Sequence, residues 1–208
     1  MYNPVDIESI ARLKQEPIEE EWWPLSRRTV ISVGRLSQVK GYTYLLEAMQ
    51  IVSGVLPDTR LVVLGCGEEE ERLREYSTKL GLHEAVRFAG FRDNPFKYMA
   101  RSSVFVLSSI WEGFGNVIVE AMACGVPVIS TDCPYGPGEI IENEVSGILV
   151  PARDSQALAA AILRVLQDPG LARRLVENGA ARAREFDVRT IVGEYEALLR
   201  ESAMRENH

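Results

Sequence analysis

From residue 29 the chain alternates two hydrophobic rhythms. Short, nearly continuous apolar runs are followed by longer segments in which apolar residues return every three or four positions. The short runs are TVISVG (29–34), RLVVLG (60–65), AVRFAG (85–90), SVFVLS (103–108), PVIST (127–131) and GILV (147–150). Their length and β-branched content predict strands, and the lack of polar alternation predicts burial on both faces. Between them, residues 42–55, 69–81 and 115–124 have helical spacing, with Gly81 closing the second. Asn94-Pro95 opens a further short helix, with a capping side chain and a proline in the first turn. Strand–helix alternation of this kind defines an α/β fold: a doubly wound parallel sheet of about six strands, with helices on both faces.

The two ends differ from this middle. Asp6 predicts a short helix through Lys14, after which Pro17, an acidic run and Pro24 break the pattern, and Trp22 and Trp23 are positioned to pack the arm on the body. Beyond Asp154 everything reads as helix: 155–167, 169–185 and 189–202, with a tail expected to fray from Arg205. The last helix carries one apolar stripe, Ile191, Val192, Tyr195, Leu198 and Leu199.

Composition narrows the function. The apolar fraction of 46% and charged fraction of 25% are those of an ordinary globular protein. A formal charge of −7 argues against a broad nucleic-acid surface and leaves room for a local basic pocket. The three cysteines, Cys66, Cys124 and Cys133, form no CxxC pair and lie near neither histidine, so they read as reduced, half-buried thiols rather than a zinc site. No run approaches the ~20 apolar residues of a spanning helix, and the N-terminus has no signal-peptide pattern.

Ligands of doubly wound sheets bind beyond the C-terminal strand ends, where four loops deserve comparison. In GRLSQVKGY (34–42), Gly34 ends a strand and Arg35 and Lys40 stand near a helix N-terminus, which favours anions. Phosphate binding and two solvated cations both fit. In LGCGEEEERL (64–73), Gly65 and Gly67 permit close backbone approach, although the glutamates that follow would repel a diphosphate. A tight turn with an acidic first helical turn explains the pattern equally well. The loop FAGFRDNP (88–95) offers backbone groups and Phe91 to a flat ring, or is a plain connection. The fourth, EGFGNVIVE (112–120), strips side chains at Gly113 and Gly115 before a helix, and puts Glu120 among apolar neighbours on the face of Asn116 and Val117. A carboxylate so placed needs a partner, and a ribose diol supplies two donors. Glu112 reads either as a loop carboxylate or as part of the same site.

Taken together, GRLSQVKG, VVLGCGEEEERL, VRFAGF, EGFGNVIVEAMACGVPVIS, GPGEII and SGILVP occur in an order that resembles the C-terminal, donor-binding half of a retaining glycosyltransferase of family 4, with the GT-B architecture. The resemblance runs from about Tyr2 to Leu199. It implies that Arg35 and Lys40 hold the diphosphate of a nucleotide sugar and stabilise the leaving group. Glu120 would bind the ribose hydroxyls, and Glu112 would face the donor sugar. Gly113, Phe114, Gly115 and Asn116, with Val117, would line the sugar and phosphate site beside Gly34, Gly65 and Gly67. The loop around Gly90, Phe91 and Arg92 would meet the base. Such enzymes act without a metal, the cations standing in for it, and no DxD motif is present; no cofactor is expected beyond the nucleotide-sugar substrate.

The resemblance also implies an organisation: an interdomain linker and arm (1–28), a Rossmann-like nucleotide-sugar-binding body (29–188), and a crossover helix and tail (189–208). YNPVD (2–6) resembles the linker between GT-B halves, so the acceptor-binding half is expected to be missing and the chain to bind donor while transferring little. DCPYGPGEII (132–141) is similar to a subgroup using UDP-linked hexoses or N-acetylhexosamines, with Gly138 where that subgroup is often basic. Uridine is the expected base, guanosine and adenosine being the alternatives. The implied setting is cytoplasmic, reaching the inner membrane face through the other half. Two further readings stay open: a sugar-nucleotide epimerase fragment, and a non-catalytic nucleotide-sugar-sensing or docking module.

Overall fold

The computed structural model describes residues 2–23 and 28–206, with side chains through Leu198. The break expected at Pro24 and the side chain of Leu199 lie outside the described residues.

Six strands form one parallel sheet: β1 (Arg28–Val33), β2 (Thr59–Leu64), β3 (Val86–Gly90), β4 (Val104–Leu107), β5 (Val128–Asp132) and β6 (Ile148–Pro151). Their order across the sheet is β3-β2-β1-β4-β5-β6. Chain direction of assembly therefore reverses between β1 and β4, which makes a crevice at their C-terminal ends.

The unbroken apolar runs follow from this architecture, because successive strand residues point to opposite faces and both faces are covered. Val30, Val63 and Val106 enter the core under α2 (Tyr42–Val55), α3 (Glu70–Lys79) and α7 (Ser155–Gln167). Their strand neighbours Ile31, Val62 and Phe105 enter the opposite core, with residues of α1 (Ile7–Leu13), α4 (Phe96–Met99), α5 (Asn116–Cys124) and α6 (Pro137–Ile140).

Helix starts follow their capping residues. The Asp6, Asp154 and Asp168 carboxylates accept from Ser9, Ala157 and Leu171 amides at the heads of α1, α7 and α8 (Pro169–Ala183). The Asn94 carboxamide accepts from the Phe96 amide at 3.1 Å, as its position predicts, and its nitrogen also donates to Leu13 O at 2.8 Å. The four-residue α6 was not visible in the periodicity, being too short to show any.

The arm lies on the body. Val5 pairs with the chain at Asp187, and Trp22 and Trp23 pack on Tyr98, with ring centroids 5.7 and 5.6 Å away. The last helix, α9, spans Val188–Glu206, longer than the expected 189–202, and so includes Arg205, where fraying was expected. Ala203, Met204, Arg205 and Glu206 are good helix formers with no glycine or proline among them. Ile191 is buried, whereas Val192, Tyr195 and Leu198 are exposed.

Candidate functional site

The crevice at the β1/β4 switch is built from two loops sewn together. The β1–α2 loop ends in a 3₁₀ turn, Gln38–Lys40, and then Gly41 with a left-handed φ of 62°. A Cβ on Gly41 would stand 2.2 Å from Ser108 O, so only glycine lets this loop reach the end of β4. Ser108 Oγ donates to Lys40 O (3.0 Å), and the Ile110 amide donates to Val39 O (2.7 Å). Held this way, Lys40 Nζ lies 2.6 Å from Glu112 Oε1, and Ser109 Oγ donates to the same oxygen at 2.5 Å. Glu112 is buried, with 6% exposure. Its charge is compensated by one cation and one hydroxyl.

Arg35 sits on the rim and pairs with Glu68 at 3.1 Å. The acidic run after Gly67 therefore differs from its expected effect. Glu68, Glu69 and Glu70 each pair with an arginine (Arg35, Arg72 and Arg74), which cancels much of the repulsion toward an anion. The close approach allowed by Gly65 and Gly67 is also put to another use. Cβ atoms there would fall 1.9 Å from Gly34 O and 2.3 Å from Leu36 O, so these glycines let two protein loops interlock. Cys66 between them is exposed on the rim of a cleft, unlike the half-buried thiol expected; Cys124 and Cys133 are buried.

Two clefts meet at Arg35. The first, about 510 Å³, is lined by Gly34, Arg35, Gly65, Cys66, Gly67, Phe91, Arg92 and Pro95, among others. Phe91 is exposed on its wall. The second, about 550 Å³, is lined by Arg35, Lys40, Glu112 and Glu68 together with Ser37, Gln38, Val39 and Trp111.

At the head of α5, Gly115 takes a left-handed φ of 93° and no side chain caps the helix, which leaves that N-terminus open to an anion. Asn116 accepts from Asn3 Nδ2 at 3.3 Å. Phe114 does not turn to the clefts; its ring packs between Tyr2 and Phe186, with centroids 5.5 and 5.7 Å away. One turn into α5, Glu120 is half-buried, and it makes no hydrogen bond or ion pair with a described residue. Burial pushes its carboxyl above the usual range.

Several participants escaped the sequence. Ser109 shares Glu112 with Lys40, and Trp111 stands half-exposed in the second cleft. Only their nearness to Glu112 in the chain hinted at them. Among the described residues no group of three His, Cys, Asp or Glu could hold a metal ion, and no helix is long and apolar enough to cross a membrane.

A doubly wound α/β sheet with basic and acidic side chains gathered at its switch point has the layout in which such folds place their ligands. Residues 14–182 match the model of the glycosyl transferases group 1 family, and the chain belongs to that family. It is 32% identical over 187 residues to the N-acetylgalactosamine-N,N'-diacetylbacillosaminyl-diphospho-undecaprenol 4-alpha-N-acetylgalactosaminyltransferase of Campylobacter jejuni, covering 90% of this chain and 49% of that one. The Anabaena protein HepE, solved in complex with UDP, superposes with a TM-score of 0.84 at 30% identity, over 97% of this chain and 57% of HepE. The C-terminal domain of the glycosyl transferase LpcC from Francisella tularensis superposes at 0.75 with 25% identity, over 88% of this chain and 99% of that domain. The chain thus spans about half the length of the curated relatives it matches. Its architecture is one Rossmann-like half of a GT-B glycosyltransferase.

Proposed function

We propose that this chain is the donor-binding half of a retaining glycosyltransferase that moves a hexosyl or N-acetylhexosaminyl group from a UDP-linked donor, without a metal ion. The observation that carries the reading is Glu120: a half-buried carboxylate without a described partner, one turn inside an uncapped helix N-terminus. A ribose diol satisfies both its oxygens. Support also comes from HepE, whose solved complexes contain UDP and UDP-glucose.

In this reading the base enters the first cleft against Phe91 and Arg92, and the diphosphate reaches Arg35 and Lys40, with Gly34, Gly65 and Gly67 closing the floor. As the bond from the anomeric carbon to the β-phosphate oxygen breaks, negative charge grows on the phosphate. Cations already in place lower that barrier. Lys40 serves Glu112 in the free chain. On donor binding it shares itself with the phosphate, while Glu112, kept by Ser109, turns to the sugar hydroxyls. In the same reading the amides of Gly113, Phe114, Gly115, Asn116 and Val117 stabilise sugar oxygens and phosphate at the uncapped head of α5. Attack from the leaving-group side retains configuration. Acceptor contacts come from a second half, so this chain by itself binds donor and transfers little.

Calorimetric titration with UDP, GDP and ADP, repeated on Glu120→Ala and Arg35→Ala, tests the reading. Saturable UDP binding weakened at least tenfold in both variants is expected. Equal affinity in wild type and variants would remove it.

A further inference from the structure

The N-terminal arm is fastened to the back of the loop that walls the first cleft. Glu20 accepts a hydrogen bond from the Tyr98 hydroxyl and faces Arg92, with Nε 3.5 Å from Oε1. Arg92 Nη1 donates to Phe91 O at 2.9 Å. A relay therefore runs from the arm carboxylate through one guanidinium to a backbone carbonyl of the cleft wall. Trp22 closes the relay on one side. Its ring stacks on Tyr98 with an interplanar angle of 3°, and the Arg92 guanidinium lies 5.9 Å from its centroid. Further stitches hold the loop and the α4 helix that follows it to the arm: Asn94 Nδ2 donates to Leu13 O at 2.8 Å, and Lys97 Nζ donates to Pro17 O at 3.2 Å.

The loop thus has two faces. Phe91, Arg92 and Pro95 line the cleft, while Arg92 is gripped from behind by Glu20. Glu20 Oε2 and Arg92 Nε are both shut from solvent without a hydrogen-bond partner. Buried polar atoms left without hydrogen bonds are costly, so such a contact marks a place that tightens or serves a purpose beyond stability. A small inward move of Arg92 would bring Nε onto the carboxylate.

We propose that Glu20 is a positioning residue for nucleotide selectivity: by holding Arg92 against the Phe91 carbonyl it fixes the backbone edge that reads the base. The proposal rests on the reading of the first cleft as the nucleoside site. Base edges differ in where they present donors and acceptors, so a carbonyl held in one direction discriminates among them, and one free to swing does not.

The test is titration of the 208-residue chain and its Glu20→Gln variant with UDP, ADP and inorganic pyrophosphate. Glutamine keeps an acceptor for Tyr98 and removes the charge that holds Arg92. The expected result is UDP binding weakened ~10-fold, with the preference for UDP over ADP narrowed and pyrophosphate unaffected, since the variant removes the charge of the ion pair that holds Arg92. An unchanged UDP-to-ADP ratio overturns the proposal. Equal weakening of all three ligands does so too, because it shows an arm that supports the fold alone. A wild-type chain that takes pyrophosphate without preferring UDP to ADP removes the nucleoside reading itself, and this inference with it.

Discussion

Lys40 and Glu112 are 72 positions apart in the chain, yet Nζ and Oε1 lie 2.6 Å apart at the sheet's switch point. One stands on the loop after β1 and the other on the loop after β4, and those strands are neighbours.

Breaking this pair from one side leaves a charge without its counterpart. Lys40→Ala is expected to destabilise the chain by about 2 kcal/mol, less than a fully buried pair because Lys40 is 23% exposed and Ser109 still serves Glu112. Lys40→Ala combined with Glu112→Gln should recover more than half of that loss. Urea unfolding of the four members of the cycle checks it, and strictly additive effects would contradict the coupling.

Glu120 is expected to trade stability for binding. Burial raises its folded pKa above the ordinary 4.5, so the folded state holds its proton more tightly than the unfolded chain. Stability is lost as pH rises from the unfolded value through the raised one, and that loss is complete above it. Glu120→Gln removes the loss, so it should stabilise at pH 7 by about 1 kcal/mol, the gain fading toward pH 4, while UDP affinity collapses. Thermal unfolding at both pH values, with calorimetry, would show a destabilised variant if the idea is wrong.

Only one thiol is expected to react in the native chain. Cys66 is exposed in the first cleft, whereas burial pushes Cys124 up to about 12 and Cys133 upward as well. A thiol–disulfide reagent at pH 8 should label one cysteine quickly, and saturating UDP should slow that labelling severalfold. Fast reaction of two thiols, or no protection, would count against the cleft assignment.

Gly41→Ala is expected to cost about 3 kcal/mol, since alanine resists the left-handed φ of 62° and its Cβ would meet Ser108 O. For a chain of this size that is a fall in Tm on the order of 8 °C. A variant with unchanged melting would show that the two loops can part without loss.

Much of the fold was legible because its causes are local. Six apolar runs became six strands within a residue or two, and Asp6 announced the helix it caps. The candidate site was legible in part. Arg35, Lys40, Glu112 and Glu120 could be singled out by residue type and by glycine-flanked context, but their partners could not. Gly65 and Gly67 advertised a close approach, and the chain itself turned out to be what approaches. Phe114, inside the same motif as Glu112, packs instead with Tyr2 and Phe186 from opposite ends of the chain.

By itself, then, the order of residues determined the α/β class, the strand count and the residues able to carry the chemistry, because apolar period, capping and turn propensity act over a few neighbouring residues. Tertiary structure alone decided that Lys40 meets Glu112, that Arg35 meets Glu68, and that Glu20 reaches Arg92 behind the cleft wall. Those pairings depend on which strands lie side by side and how loops from distant segments converge at their ends. Strand order is set by packing across the whole sheet, and no local pattern encodes it.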